Sequence, residues 1–140
     1  MSVTQSIVSS FKVELLEAVH NLNSDVFYLA LYGPNANISS TTTVYTTDGE
    51  VTGSGYTAGG LVLTNLGVTL SGTSAFASWS TATWTSASIS TAGGLIYNAS
   101  KGNKAVAVLN FGGTYTSDGS TPFTVTFPPY TSTTAPIIIY

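Results

Sequence analysis

The stretch KAVAVLNF at Lys104–Phe111 decides the class of fold. Along it, Ala105, Ala107, Leu109 and Phe111 occupy alternate positions, and Val106 and Val108 lie between them. This period of two places successive side chains on opposite faces of a β-strand. Thr121–Phe127 alternates in the same way, with Phe and Val set against Thr. Asp25–Tyr32 (DVFYLALY) is apolar on both faces, which predicts a central strand.

Further β-favouring segments follow at short spacing, with Gly, Asn and Ser turn signals between them. A bend at Asn65–Gly67 predicts a β-bulge, and Asn98–Asn103 predicts a hairpin loop. The sequence therefore predicts a mainly β fold of about eight short antiparallel strands, arranged as a jelly roll or a β-sandwich. Its length fits a single domain spanning residues 1–140. The further predicted strands are Gly60–Leu70, Ala75–Trp79, Trp84–Ile89, Leu95–Tyr97 and Pro136–Tyr140.

One segment near the N-terminus has helical periodicity. Apolar residues recur at three- and four-residue steps from Ile7 to Leu22, with Glu14 and Glu17 on the opposite side. This pattern predicts a helix over about residues 6–22. His20 lies near its predicted C-terminal end, where we expect it to satisfy backbone carbonyls and complement the helix dipole.

Side chains that perform chemistry are scarce. Only 6% of the residues are charged, and the chain has three Lys, no Arg, no Cys and a single His, His20. Without cysteine there is no disulfide framework and no thiolate metal site. The six carboxylates do not cluster in a pattern typical of a calcium site. We therefore predict a structural or binding domain rather than an enzyme, with no catalytic residue, no metal site and no cofactor.

Three short patterns imitate functional motifs. Gly53–Ala58 matches GxGxxA, but a dinucleotide site needs a strand before the motif and a helix after it. These glycines instead predict a loop that turns sharply or lies against another backbone. Ser9–Lys12 has the SxxK spacing of penicillin-binding enzymes without their companion motifs. His20 and Asp25 are near enough in sequence to suggest a triad, but no GxSxG elbow accompanies them.

The low charge also limits the partners. A net charge of −3 without a basic cluster argues against nucleic-acid binding. No stretch approaches the ~20 apolar residues of a membrane span. The N-terminal residues lack the basic region of a signal peptide, so we expect assembly in the cytoplasm. A surface of Thr, Ser, Asn and Gly suits close, permanent contact with a neighbouring subunit, although a neutral domain that works alone would have the same composition.

Two regions are candidates for contact with a neighbour. The polar stretch Asn35–Gly60 is long for a connection, so we expect it to hold a short edge strand, a binding loop or both. Pro136–Tyr140 contains an uncharged, β-forming run that either closes the domain or pairs with a neighbouring subunit. The predicted interface residues are Asp48, Glu50, Tyr56, Ile137, Ile138, Ile139 and Tyr140.

The larger aromatic residues have two possible roles. Trp79, Trp84, Tyr56 and Tyr97 could form a platform on which sugar rings stack. Alternatively, the tryptophans fill the core of the sandwich, as large aromatic side chains usually do.

Blocks along nearly the whole chain resemble one group of proteins, the small structural proteins of tailed bacteriophages. The glycine-rich block followed by the KAVAVL strand is the most specific part of the resemblance. The blocks are Phe11–Leu16 (FKVELL), Leu29–Tyr32 (LALY), Gly49–Gly60, Leu95–Asn98 and Lys104–Leu109 (KAVAVL).

The resemblance implies a virion protein, similar to the jelly-roll cement (decoration) proteins on capsid surfaces. Such proteins bind the outside of the shell formed by the major capsid protein and bridge its subunits against the pressure of packaged DNA. We expect a homodimer or trimer in that setting. Two alternatives remain: a neck, tail or fibre-attachment component of the virion, and a carbohydrate-binding module on a receptor-binding structure.

Overall fold

The computed structural model describes residues 6–140, and most of the regular secondary structure in this range is β-strand. A single α-helix, α1, lies near the N-terminus, and a short 3-10 turn at Ala99–Lys101 joins two long strands. The elements in chain order are β1 (Ser6–Ile7), α1 (Ser9–Leu16), β2 (Phe27–Tyr32), β3 (Leu61–Val62), β4 (Asn65–Ser71), β5 (Ser74–Trp79), β6 (Ala82–Trp84), β7 (Ser88–Asn98), β8 (Lys104–Asp118), β9 (Phe123–Val125) and β10 (Ile137–Ile139).

The strands form three sheets, and all their pairings are antiparallel. The largest sheet has the order β1-β8-β7-β2-β3, a second has the order β10-β5-β4, and β6 pairs with β9. The prediction of a mainly β sandwich with one N-terminal helix is therefore confirmed. No helix within residues 6–140 has the length and apolar composition that a membrane crossing requires.

One apolar core joins the large sheet to the two small ones. Phe27 of β2 packs edge-on against Trp79 of β5, with ring centroids 5.5 Å apart. Trp79 also contacts Phe127, which follows β9, at 5.9 Å. Five of the six residues of β2 are buried, because β7 and β3 flank the strand and side chains cover both of its faces. The prediction of a central strand from DVFYLALY is confirmed.

The region between Trp84 and Tyr97 differs from the prediction. The predicted strand Trp84–Ile89 is wrong, because β6 ends at Trp84 and a new strand begins at Ser88. The short strand predicted at Leu95–Tyr97 is the end of the 11-residue β7. Gly93 and Gly94 would be expected to interrupt a strand, but they pair with β2 on one side and with β8 on the other. Flanking strands therefore override the low strand propensity of glycine.

Two finer predictions about the strands are confirmed. The register of β4 against β5 shifts between Asn65 and Gly67, which is the predicted bulge. The segment Asn98–Asn103 joins β7 to β8, with Gly102 and Asn103 both in the left-handed region of backbone space.

The predicted helix over residues 6–22 is too long, because α1 has only eight residues. At its start, Ile7 pairs with Ala107 of β8 as part of β1. At its end, Ala18 has φ +59°, and the N–H of Val19 donates to the Glu14 carbonyl. This Schellman arrangement ends the helix, and the chain then turns back toward the sheet. Beyond Leu16 the helical spacing does not continue a helix, since Ala18 is exposed while Leu22 packs against the core.

The long connection between β2 and β3 contains no strand element, but it is attached to the large sheet at several points. Val44 and Glu50 form isolated bridges to Lys104 and Tyr32. A Cβ atom on Gly60, whose φ is +84°, would overlap the carbonyl of Leu29. Within Gly53–Ala58, a Cβ atom on Gly53 or Gly55 would overlap the carbonyl of Ser88 or Ser86, so the expectation that these two glycines lie against another backbone is confirmed.

This close approach leads to a prediction for Gly60→Ala. We expect it to lower the free energy of unfolding by at least about 2 kcal/mol, because the methyl group needs both a strained φ and a shift of β2. Gly72→Ala is the matched control: Gly72 has φ +59° but open space around the site, so it carries only the backbone strain of about 1 kcal/mol. Urea denaturation of both variants measures the difference. Equal losses would show that the contact with β2 is unimportant.

Candidate functional site

Glu50 lies at the centre of a cluster of tyrosines. Its carboxylate accepts hydrogen bonds from the hydroxyls of Tyr45 and Tyr56, each at 2.6 Å, and from the N–H of Gly59 at 2.8 Å. The hydroxyl of Tyr56 in turn accepts the N–H of Leu31 in β2 at 2.9 Å. The cluster therefore connects three parts of the long connection to one another and to the edge of the large sheet.

The same cluster shifts the ionisation of its tyrosines. Tyr97 stacks on Tyr45 with centroids 4.7 Å apart, and its hydroxyl donates to the Gly59 carbonyl at 2.6 Å. Burial, together with the charge of Glu50, raises the pKa of Tyr97 to about 12. Burial and the bond to Glu50 also raise the pKa of Tyr56 far above its usual value. These tyrosines are neutral hydrogen-bond donors at physiological pH, which suits a structural role.

The structure brings together two of the three interface residues predicted in the connection. Glu50 and Tyr56 are bonded to each other and half-buried, so their polar atoms face inward. Asp48 lies at an exposed turn. Of these three, only Asp48 is exposed to solvent.

A second polar network surrounds His20, whose side chain is fully buried. Its Nε2 lies 2.9 Å from a carboxylate oxygen of Glu14. The amide nitrogen of Asn98 is 3.0 Å from Nδ1 and also donates to Asp25 at 2.8 Å. Because the Asn98 oxygen accepts the N–H of Ser100, its amide orientation is set. Nδ1 is therefore an acceptor, and Nε2 carries the ring proton.

This network corrects the role expected for His20. Since α1 ends at Leu16, His20 does not satisfy carbonyls at a helix end, and its partners are side chains. Asp25, the tempting third member of a triad, reaches His20 only through Asn98. Burial by itself raises the pKa of Asp25, but hydrogen bonds from Asn21 and Asn98 and the charge of Lys101 bring it below the usual value. The network holds the segment after α1 against β7.

The two tryptophans belong to the core. Trp79 is 2% exposed and Trp84 is 5% exposed, so neither can present its ring face to a ligand. Of the two roles considered for them, filling the sandwich is the one that the structure shows.

An open aromatic groove lies between β8 and β9. Its volume is about 380 Å³, and no charged side chain lines it. The ring centroid of Phe123 lies 6.2 Å from that of Trp84, which packs beneath it, and 6.5 Å from that of Phe111 across the groove. Tyr115 is 53% exposed on the β8 side. The lining residues are Leu109, Asn110, Phe111, Tyr115, Phe123, Thr124, Val125, Thr126, Phe127 and Pro128.

A large bulge in β8 builds one wall of this aromatic groove. Asn110 pairs with Gly93 and Tyr115 pairs with Thr91, so residues 111–114 of β8 face only Ala92 of β7. Bulges of this kind redirect side chains and are common beside binding sites. Gly112, with φ +79°, lets the backbone make the required turn. The bulge thus positions Phe111 and Tyr115 at the groove.

The outer edge of β9, beside the groove, is open in the described part of the chain. Within residues 6–140, β9 pairs with β6 alone, so its other edge carries no strand. An open edge beside apolar side chains is the arrangement to which an extended peptide adds as a strand. Sequence reasoning missed this site. The pair Gly112-Gly113 inside an alternating strand was the available signal, since such glycines often mark a bulge.

The predicted terminal interface residues lie in another sheet. Ile137 is buried and Ile138 is half-buried, whereas Ile139 and Tyr140 are 57% and 84% exposed. Of the two possibilities expected for this run, the structure shows pairing within the chain: β10 (Ile137–Ile139) lies beside β5. Whether any of these residues contacts a partner stays a prediction.

No group of three or more His, Asp or Glu side chains suited to a metal ion occurs in the described part of the chain. No protein-family model matches the chain, and neither a curated protein nor a solved structure matches it.

The bonds of Glu50 lead to a prediction for Glu50→Gln. We expect the free energy of unfolding to fall by about 1.5–3 kcal/mol, because an amide replaces a charged acceptor that receives three hydrogen bonds. Asp48→Asn removes the same charge from an exposed turn and should change stability by less than about 0.5 kcal/mol. Urea denaturation compares the two. Equal effects would contradict a structural role for Glu50.

The tyrosine cluster also leads to a prediction for alkaline pH. Unfolded tyrosines ionise near pH 10, whereas folded Tyr97 has a pKa of about 12. The stabilisation is therefore complete below about pH 10 and is lost as the pH rises through about 12. Tyr97→Phe should make this loss shallower, and Tyr115→Phe, at an exposed position, should not. Unfolding midpoints measured across this pH range test the prediction, and a flat wild-type profile would contradict it.

Proposed function

We propose that the chain is a virion structural protein of the cement, or decoration, type. In this proposal it binds the outside of a shell built by the major capsid protein and stabilises the shell by bridging neighbouring subunits. The observation that carries the proposal is the uncharged aromatic groove between β8 and β9, beside an edge of β9 that pairs with no strand in the described residues. The resemblance to small structural proteins of tailed phages supports the setting.

The groove is suited to an extended, uncharged segment of a shell subunit. Phe111 and Tyr115 offer apolar surface, and the unpaired edge of β9 offers backbone hydrogen bonds. Phe123 and Phe127 contact Trp84 and Trp79, so the floor of the groove is already packed before a ligand arrives. A preformed site loses little conformational entropy on binding.

The charge distribution supports close contact with other protein subunits. Residues 51–100 and 119–140 contain no charged side chain. A surface without charges forms hydrogen bonds with a partner at a low desolvation cost, and no like charge repels a neighbour. Each contact can be modest, because a protein bound at many equivalent places on a shell gains from valency.

The proposal predicts the effect of groove variants on capsid binding. We expect Phe111→Ala or Tyr115→Ala to weaken binding to capsids of the encoding phage, prepared without the chain, by roughly tenfold or more, because central aromatic contacts carry most of an interface's energy. Val44→Ala, which shortens an apolar side chain of similar exposure away from the groove, is the control and should bind as the unmodified chain does. Co-sedimentation of chain and capsid measures the affinity.

The outcomes separate the proposal from its alternatives. Hundreds of copies per virion, located on the shell, agree with a cement protein, whereas about a dozen copies at one vertex would indicate a neck or tail component. Binding to glycans that disappears in Phe111→Ala, together with no binding to capsids, would favour the carbohydrate-binding alternative. Equal capsid binding by Phe111→Ala and the unmodified chain would overturn the role of the groove.

A further inference from the structure

The two outer strands of the sheet β10-β5-β4 are protected to different extents. The backbone of β4 is occupied from outside, because the Asn23 side chain accepts the N–H of Val68 at 2.8 Å. The Tyr130 hydroxyl donates to the Gly67 carbonyl at 2.9 Å and contacts the Thr69 hydroxyl at 2.7 Å. These groups occupy the positions that an added strand would need. The edge of β4 is therefore protected against pairing.

The outer edge of β10 lacks comparable protection. Among residues 6–140, β10 pairs with β5 on one side and with no strand on the other. Its sequence, Ile-Ile-Ile, has no charge, and neither lysine nor a bulge interrupts it. Proteins usually protect such edges, because alternate N–H and C=O groups point outward and can pair with another chain.

An apolar row crosses this sheet and reaches the open edge. Val68, Ala77 and Ile137 are paired across β4, β5 and β10, and Leu70, Ala75 and Ile139 form the next paired row on the same face. Leu70 is 70% exposed and Ile139 is 57% exposed. The row thus ends at β10 in an isoleucine that a neighbouring strand would cover.

Electrostatics favours a second copy of the same chain at this edge. The chain has a net charge of −3, which would repel a second copy in most orientations. None of that charge lies in β4, β5 or β10, since residues 51–100 and 119–140 are free of charged side chains. Two copies can therefore approach through this sheet without placing like charges opposite one another.

We propose that β10 strands of two copies pair edge to edge, antiparallel about a two-fold axis, and join two three-stranded sheets into one of six strands. With Ile138 on the axis, Ile139 of each copy lies opposite Ile137 of the other, on the same face of the sheet. Directly opposite β-branched side chains stabilise an antiparallel pair. A contact that uses the same strand on both subunits closes on itself and stops at a dimer.

The inference goes beyond the proposed function, because the dimer would form whether or not a capsid binds. If both hold, each dimer carries two aromatic grooves, which is the minimum needed to bridge two shell subunits.

The test compares two lysine substitutions in the isolated protein. Sedimentation velocity over a range of concentrations should show a monomer–dimer equilibrium. Ile139→Lys should weaken it at least tenfold, because lysine at the edge of a strand disfavours pairing. Leu70→Lys introduces the same group at a similarly exposed site on the same face of the sheet, but at the protected edge, and should leave dimerisation unchanged. Unfolding midpoints confirm that both variants fold.

A measurement that needs no variant complements this comparison. Amide hydrogen exchange of Ile137–Ile139 in the unmodified chain should slow as concentration rises, while exchange in β4 stays the same. A monomer at every concentration would overturn the proposal, as would an equal loss of dimer in Leu70→Lys and Ile139→Lys, which would indicate packing through the face of the sheet. Phe111→Ala should dimerise normally, so a failure of the groove and a failure of the dimer can be told apart.

Discussion

The antiparallel pairing of β7 with β8 supports every other part of the molecule. β7 brings β2 into the large sheet along its other edge, and β2 in turn holds the long connection with its tyrosine cluster. β8 receives β1 on its outer edge, which places α1 beside the sheet. Both strands are buried where they cross the core, because side chains from the small sheets cover them. The pairing of β7 with β8 therefore positions the core, the tyrosine cluster around Glu50 and the aromatic groove.

The same pairing creates the aromatic groove where it is interrupted. Four residues of β8, 111–114, face only Ala92, and the surplus backbone turns outward with Phe111. An interruption at this point costs ladder hydrogen bonds, and of the four residues only Phe111 packs against the core while the other three are exposed. Thr91, fully buried, bonds the carbonyls of Tyr32 and Gly93 and supports the sheet beside the bulge. A feature that weakens the sheet but shapes an apolar groove is typical of a binding site.

Five of the nine charged side chains make contacts inside the fold. Glu50 receives three hydrogen bonds from the connection, and Glu14 and Asp25 lie in the network around His20. Lys104 lies 3.5 Å from Glu14 and Lys101 lies 4.0 Å from Asp25, so two of the three lysines pair with the same network. With its charges used in this way, the chain presents large uncharged surfaces.

The sequence by itself determined the class of fold, the central position of β2 and the scarcity of charge, because alternation and composition are local properties of the chain. Only the tertiary structure decided the length of α1, the partners of His20 and Asp25, and the break in β8 that forms the groove. Those features depend on residues far apart in sequence, such as Asn98 beside His20. A local pattern does not specify which distant group will satisfy a buried polar atom or which strand edge stays open. Folding decides both, because the great majority of buried donors and acceptors find their partners only in the packed chain.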